Sequence, residues 1–191
     1  MRLRQQSTSH TGSLLVALPT LLDPNFRRTI LFLSHHDTEE GSVGFILNRP
    51  CQIDLGDLSP SAEGGEHIPV YEGGPVERKS LIVAKIHWQQ EKGMGMAGFQ
   101  SLGEEDLLPL PTEPESNHRE IRAFTGYAGW SAGQLERELD EKSWIILPPT
   151  QDLLLPVETP EEGTARWRSI MKNLGPWYHL MAQTPDDPNL N

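Results

Sequence analysis

Between Gly12 and Pro50 the chain carries three apolar runs in close succession, Leu14 to Leu18, Thr29 to Leu33 and Val43 to Leu47, within GSLLVALPTLLDPNFRRTILFLSHHDTEEGSVGFILNRP. TILFL and VGFIL are continuously apolar instead of alternating with polar residues. Successive side chains of a strand point to opposite faces, so such runs predict strands buried on both sides. They are too short for helices and rich in strand-forming residues. A central set of covered strands is therefore the constraint that the rest of the chain must satisfy. Pro19 ends the first run, and Asp23-Pro24-Asn25 predicts a turn, because proline presets its own φ and Asx side chains bond nearby backbone N–H groups. The polar stretch His35 to Gly41 reads as a hairpin loop between the second and third strands.

Downstream, Cys51 to Pro69 is polar and rich in Gly, Ser and Pro, the composition of an irregular surface connection. Val70 to Glu72 predicts a short strand closed by Gly73-Gly74-Pro75, and Ser80 to Trp88 a longer one. Residues 89–117, with four glycines and then Pro109, Pro111 and Pro114, predict a flexible excursion. Order returns at Arg119 to Thr125, where Ile121 and Ala123 alternate with charged neighbours, and this strand runs into Gly126-Tyr127-Ala128-Gly129-Trp130. Ser131 with Gln134 forms a potential capping box and Trp130 with Leu135 a hydrophobic staple. Leu135 and Leu139 supply the buried stripe of that helix, with Glu138 and Lys142 as an i,i+4 pair. Trp144 to Leu147 predicts a strand halted by Pro148-Pro149. The last helix begins at Thr159 as cap with Pro160 in the first position, and Glu162 closes its box. Trp167, Ile170, Met171 and Leu174 then fall at i, i+3, i+4 and i+7, a stripe made to lie on a sheet.

Several of these pieces together resemble the YqgE/AlgH family. They are GSLLVA, DPNF followed by an arginine, an apolar run and a histidine, then GxxGxxLNRP ending at Pro50, GGPV at residues 73–76 and GYAGW at residues 126–130. The family is bacterial and widespread, without an assigned activity, and one of its branches is labelled a transcriptional regulator of exopolysaccharide synthesis. The resemblance covers most of the chain and weakens over residues 51–69, 89–117 and beyond about 176. It implies what the order of elements also predicts: an α+β fold with a coiled, largely antiparallel sheet and two main helices. The expected organisation is a frayed arm over residues 1–11, one domain over 12–183 and a disordered tail over 184–191, where Asp, Pro and Asn dominate.

With 16 Lys and Arg against 27 Asp and Glu the formal net charge is -11, and no basic run exceeds Arg27-Arg28. Such a field repels phosphate backbones, so direct nucleic-acid binding is not expected, and a regulatory role would have to be indirect. The single cysteine, Cys51, forms no intramolecular disulfide, which suits a cytoplasmic location. Arg2, Arg4 and the apolar Leu14 to Leu22 imitate a signal peptide, but Pro19 interrupts the run and Asp23 follows it. No apolar stretch approaches the ~18 residues of a membrane-spanning helix, and no membrane partner is expected.

Three patterns resemble catalytic or cofactor motifs. His35-His36-Asp37 could begin a metal-assisted or hydrolase-like site with Asp23 or Cys51, yet neighbouring strand residues face opposite ways, and a polar pair at a strand end is the simpler reading. Cys51 beside Arg49 could be a nucleophile with a lowered pKa, although no catalytic signature surrounds it. Gly93-Met94-Gly95-Met96-Ala97-Gly98 matches a dinucleotide fingerprint in letters only, because Gln89 to Lys92 separate it from the strand and Gly103 and Pro109 break the required helix. No cofactor and no metal are therefore expected. The residues that the family motifs mark are loop residues: Asp23, Asn25, Arg27, Asn48, Arg49, Gly73, Gly74, Tyr127 and Trp130. They are expected to form a ligand- or partner-binding surface for a protein or small molecule, with glycines permitting close backbone approach.

Overall fold

The computed structural model describes residues 9–59, 65–91, 94–103 and 120–184. Its strands in chain order are β1 (Leu14–Ala17), β2 (Ile30–Asp37), β3 (Gly41–Ile46), β4 (Pro50–Asp54), β5 (Pro69–Glu72), β6 (Val76–Glu91), β7 (Met94–Leu102), β8 (Ile121–Trp130) and β9 (Trp144–Leu147). The helices are α1 (Leu55–Leu58), α2 (Gln134–Asp140), α3 (Gln151–Leu154), α4 (Pro160–Leu174) and α5 (Pro176–Met181), with a 3-10 turn at Gly65–His67. The strands order as β4-β5-β8-β3-β2-β1-β9, and the β6-β7 hairpin joins through β6 to β8. Of these pairings β5 with β8 is parallel and the others antiparallel. The fold is thus α+β with a curled, largely antiparallel sheet, as the sequence predicts.

The two-sided burial of the first three strands follows from the pleat. Leu14, Val16, Ile30, Phe32, Phe45 and Leu47 face one core, while Leu15, Ala17, Leu31, Leu33 and Ile46 face another. The first face is covered by α4 through Trp167, Ile170 and Met171 and by Phe99 of β7, whose ring stacks on Phe45 at 4.7 Å. Full burial of each such side chain is worth roughly 2 kcal/mol. The second face is covered by Leu135 and Leu139 of α2 together with Phe26, Trp130 and Trp144.

Strand β8 belongs to both halves of the sheet. Ile121 to Thr125 pair with β6, Ala123 to Thr125 also with β5, and Ala128 to Trp130 with β3. The change occurs around Gly126, which has φ 69° and where a Cβ would press on the carbonyls of Val76 and Gly74. Beside it β3 and β5 meet end to end through Gly73, whose carbonyl accepts from Ile46 N–H at 2.9 Å and whose N–H donates to Thr125 at 2.9 Å.

Several expectations need correction. β2 continues through His35, His36 and Asp37, so the hairpin loop shrinks to residues 38–40. The segment after Cys51 is not irregular throughout, since β4, α1 and the 3-10 turn occupy its described parts. Residues 94–102 are a strand; Gly95 and Gly98 lie beneath Trp88 and His87, where a Cβ would overlap the rings. The remainder of that expected excursion, residues 92–93 and 104–117, lies outside the described residues, as do residues 185–191 of the expected tail. The GYAGW glycines sit within a strand, and Gly133, not Ser131, occupies the N-cap of α2. Glu138 is taken up by Trp130, Trp144 and Gln134, not Lys142. Alternation in the sequence puts Arg122 on a charged face, but β8 is flanked on both edges and the guanidinium is 1% exposed beside Tyr71.

Two polar contacts dock α4 on the sheet. Trp167 Nε1 donates to the Ala17 carbonyl at 2.7 Å, and Asn48 Nδ2 donates to the carbonyls of Gly163 and Arg28 at 3.1 and 2.9 Å. Asn48 Oδ1 accepts from Ile30 N–H at 2.8 Å. Gly163 lies so close to the Asn48 backbone that a Cβ there would overlap its carbonyl. At the helix start Thr159 Oγ1 accepts from Glu162 N–H at 3.2 Å, whereas the Glu162 carboxylate reaches Glu158 N–H, one residue before the expected box.

At the N-terminal end, Ser9 to Thr11 are tied to β2, in contrast to the fraying expected over the whole of residues 1–11. His10 N–H donates to His36 Nδ1 at 3.2 Å, His36 N–H donates to Thr11 Oγ1 at 2.9 Å, and the two imidazoles meet edge to face at 4.9 Å. His36 Nε2 faces Glu136 Oε1 at 3.0 Å, so the neutral tautomer carries its proton there. Burial and then the proximity of His36 push His10 below its ordinary 6.5, against an opposing pull from Glu136.

Alanine at position 163 ought to be the better helix residue by about 1 kcal/mol. Here Gly163→Ala is expected to destabilise the protein in urea unfolding, and Asn48→Ala to cost about 3 kcal/mol by orphaning buried backbone groups. Docking of residues 9–11 has its own pH dependence. The docked His10 has the lower pKa and so binds fewer protons than the released arm, making docking complete above 6.5 and progressively lost as pH falls through the lowered value. Amide exchange of Thr11 and Gly12 should accelerate on lowering pH from about 7 to about 5 beyond its intrinsic trend, and unchanged protection would refute the assignment.

Candidate functional site

The DPNF turn is built as the sequence predicts. Asp23 Oδ1 accepts from Asn25 N–H at 2.8 Å, and its carbonyl accepts from Phe26 and Arg27 at 2.9 and 2.7 Å. Phe26 plugs the turn into the second core, with ring centroids 6.1 Å from Trp130 and 5.4 Å from Trp144. Arg28, at φ 59°, redirects the chain into β2. Across from this turn lies the LNRP corner. Arg49 Nη1 donates to the Asn25 carbonyl at 2.9 Å, and its Nη2 to those of Arg27 and Pro24 at 3.1 and 3.2 Å. Arg78 Nη2 donates to Asn25 Oδ1 at 2.6 Å, and Glu72 lies 3.6 Å from Arg49 and 3.9 Å from Arg78.

Between the turn, the corner and the start of α4 opens a cleft of about 620 Å³, bordered by Arg27, Arg28, Arg49, Cys51, Glu72 and Thr164, with Asn48 and three prolines completing its wall. Its volume falls within the roughly 300–1,000 Å³ of small-molecule sites. A smaller hollow of about 120 Å³ adjoins it at Arg27 and Arg28 and is closed by Trp167, Met181 and Thr184. Arg28 Nη2 donates to the Thr184 carbonyl at 2.6 Å, and its guanidinium lies 5.7 Å from the Trp167 ring centre.

The sequence-marked residues divide here. Arg27, Asn48 and Arg49 line the cleft, with Asp23 and Asn25 bracing the turn behind them. Asn48 is 4% exposed and its amide is engaged by three backbone groups, which makes it the floor of the cleft. Gly73 and Gly74 let β5 press against the backbone of β8 at Gly126 and Tyr127. Tyr127 packs at the margin of the first core. Trp130 is 5% exposed, and its indole N–H shares one oxygen of Glu138 with that of Trp144, at 2.9 and 2.8 Å. Pro160 and Thr164 carry no sequence signal for the site, since their place in it depends on how α4 crosses the sheet, whereas Glu72 reaches Arg49 through the pairing of its strand, its N–H donating to the Arg49 carbonyl at 3.0 Å.

The other candidates fall elsewhere. His35 is exposed and His36 buried, as opposite faces of one strand require. No group of three or more His, Cys, Asp or Glu side chains converges among the described residues. The glycine fingerprint is interrupted by the undescribed Gly93, and its described part lies in β7 instead of a strand-to-helix turn. Cys51 is exposed at the cleft rim, where partial desolvation and then Glu72 push its thiol up, against a hydrogen bond with Thr125. Arg49 does not activate it. Burial also lowers the Arg49 guanidinium, a shift that Glu72 opposes. The pH midpoint of Cys51 alkylation by iodoacetamide should accordingly lie above the ordinary 9.0 and drop in Glu72→Gln. A midpoint below 9.0 would restore the nucleophile.

Comparison with known proteins matches residues 14–179 to the AlgH-like family model, DUF179. A UPF0301 protein of Thermobifida fusca is 33% identical over the full length of both chains. Another from Streptomyces coelicolor is 39% identical, with 96% of each chain covered. Among solved structures, AlgH of Pseudomonas aeruginosa is 29% identical with a TM-score of 0.62, covering 96% of this chain and 98% of that one. A crystal structure from Corynebacterium diphtheriae, 19% identical with a TM-score of 0.66 and 95% coverage of both, shares the fold. No helix among the described residues is long and apolar enough to cross a membrane. With the family model spanning most of the chain and relatives more than 30% identical over nearly their whole length, the chain belongs to the AlgH-like UPF0301 family.

Proposed function

We propose that the chain is a non-enzymatic binding protein, and that any regulatory effect on transcription is exerted indirectly through what it binds. The cleft between the DPNF turn, the LNRP corner and α4 carries this reading. It is concave, of ligand size, and walled by backbone-anchored side chains that need no rearrangement to receive a guest. Its lining offers guanidinium groups, a hydroxyl, one carboxylate and a thiol with a raised pKa, with no histidine among the described lining residues to act as general base. His36 has a carboxylate partner in Glu136, but its other ring nitrogen is occupied by His10 N–H. An acidic chain with net charge -11 also makes direct operator binding the poorer account.

A fragment screen read by amide chemical shifts tests the site whatever the natural ligand is. Hits are expected to perturb Arg27, Arg28, Arg49 and Thr164 together, and Thr164→Trp, which fills the cleft from the helix side, is expected to abolish them while the rest of the spectrum stays put. Hits that cluster elsewhere, or that survive Thr164→Trp in a folded protein, would remove the cleft as the binding site.

A further inference from the structure

We infer that the outer edge of β7 is a docking site for an extended segment of a partner protein, which joins the sheet there as its next strand. None of the residues of β7 borders the cleft, so this surface is independent of the binding role proposed above. β7 pairs with β6 over nine consecutive positions, from Glu91 with Met94 to Val83 with Leu102, without a register shift, and has no second neighbour among the described strands. The direction of its backbone groups follows from strands further in. The Thr125 carbonyl accepts from Gly73 N–H on the β5 side, so Arg122 and Phe124 turn their backbone groups to β6, where Ala84 and Ile82 face them. Alternation then directs Val83, Lys85 and His87 toward β7. It leaves Gly95, Ala97, Phe99 and Ser101 with N–H and C=O groups pointing away from β6, and among the described residues none of these groups has a hydrogen-bond partner.

Such a row is a template for another strand, and folded proteins blunt it with charge, proline, bulges or brevity. The other ends of this sheet carry those devices. β4 loses register between Pro50 and Asp54, with Gln52 at φ 57°, and β9 has four residues and runs into Pro148-Pro149. β7 carries none of them. MGMAGFQSL has neither a charge nor a proline, and its nine residues exceed the usual five or six or so of a strand. The edge is also held in place before anything binds, because the Phe99 ring stacks on Phe45 at 4.7 Å. Gly12 approaches it at one point, where a Cβ would lie 2.7 Å from the Ala97 carbonyl. Phe99 and Ser101, beyond that point, offer two donors and two acceptors. A partner residue opposite Phe99 lies on the core face and its neighbours on the side of the exposed Gln100, so the fitting segment alternates apolar and polar side chains.

The experiment pans the full-length protein against a random phage-displayed library of peptides about twelve residues long, with Ser101→Pro as the counter-screen. Proline at 101 deletes one outward N–H and lays its ring over the edge while the β6-β7 bonds remain. Peptides selected on the wild type are expected to alternate apolar and polar residues and to shift the amides of Phe99 and Ser101 saturably. Their affinity should fall at least about tenfold on Ser101→Pro, and equally on N-methylation of alternate peptide nitrogens, a change that leaves the protein untouched. Peptides that bind Ser101→Pro as tightly as the wild type, or that tolerate N-methylation in both registers, would overturn the proposal, as would a library that yields no binder above the Ser101→Pro background. Concentration-dependent protection of the Phe99 and Ser101 amides in the protein alone would also overturn it, by giving the edge to a second copy of the chain.

Discussion

The arrangement depends on a single buried amide. Asn48 sits where β3 ends, and with it the chain holds the start of β2, the carbonyl of Arg28 and the first turn of α4 at fixed distances. An aspartate could accept from Ile30 but could not donate to two carbonyls, and a leucine could do neither. The amide is required because two acceptors and one donor converge on one largely buried spot. Gly163 completes the contact from the helix side by having no Cβ to hold the helix away. Because Arg49 follows directly, the same corner that docks the helix also sets the guanidinium that clamps the DPNF turn. Cleft and core are therefore fixed by adjacent residues.

A second anchoring system keeps the helix entry in place from below. Tyr71 OH donates to the Val157 carbonyl at 2.8 Å and accepts from Val157 N–H at 3.1 Å, which pins the segment leading from α3 to α4. Arg122 donates from Nη2 to the Leu154 carbonyl and packs 5.6 Å from the Tyr71 ring, while Arg166 donates to the carbonyls of Leu155 and Pro156. Burial holds Arg122 down to about 10, with Tyr71 opposing the shift, so it stays charged at neutral pH. Its Nε and Nη1 have no partner among the described residues, a destabilising arrangement relative to a fully paired guanidinium. Set against that cost, the side chain satisfies a carbonyl at the end of α3, which a short helix cannot do for itself.

What the sequence discloses follows the range of the interactions involved. TILFL and VGFIL announce two-sided burial because pleat and periodicity are local properties, and Thr159-Pro160 announces a helix start for the same reason. Arg122 misleads because its neighbours look like an exposed alternating strand, and only the Tyr71 ring and the end of α3, distant in sequence, enclose it. The glycines of β7 look like loop residues because the rings that occupy their missing side-chain space, Trp88 and His87, belong to the facing strand. The site is half legible on the same grounds. Asp23, Asn25, Arg27, Asn48 and Arg49 are close in sequence or flank one hairpin, whereas Thr164 reaches them across more than a hundred residues. Trp130 is buried in the second core and Tyr127 half-buried at the margin of the first, and an aromatic near glycines does not reveal in one dimension whether it faces solvent or core.

The aromatic seat of the DPNF turn has an optical consequence. Phe26 lies against two tryptophans whose indole N–H groups share one carboxylate oxygen, and the next two residues are Arg27 and Arg28 on the cleft wall. A guest that displaces either arginine backbone pulls on that ring, and the ring cannot shift without altering the packing around both indoles. Indole emission responds to such changes in local field and polarity. The two indoles packed on Phe26 thereby form an intrinsic optical reporter of the position of this turn, readable in unlabelled material.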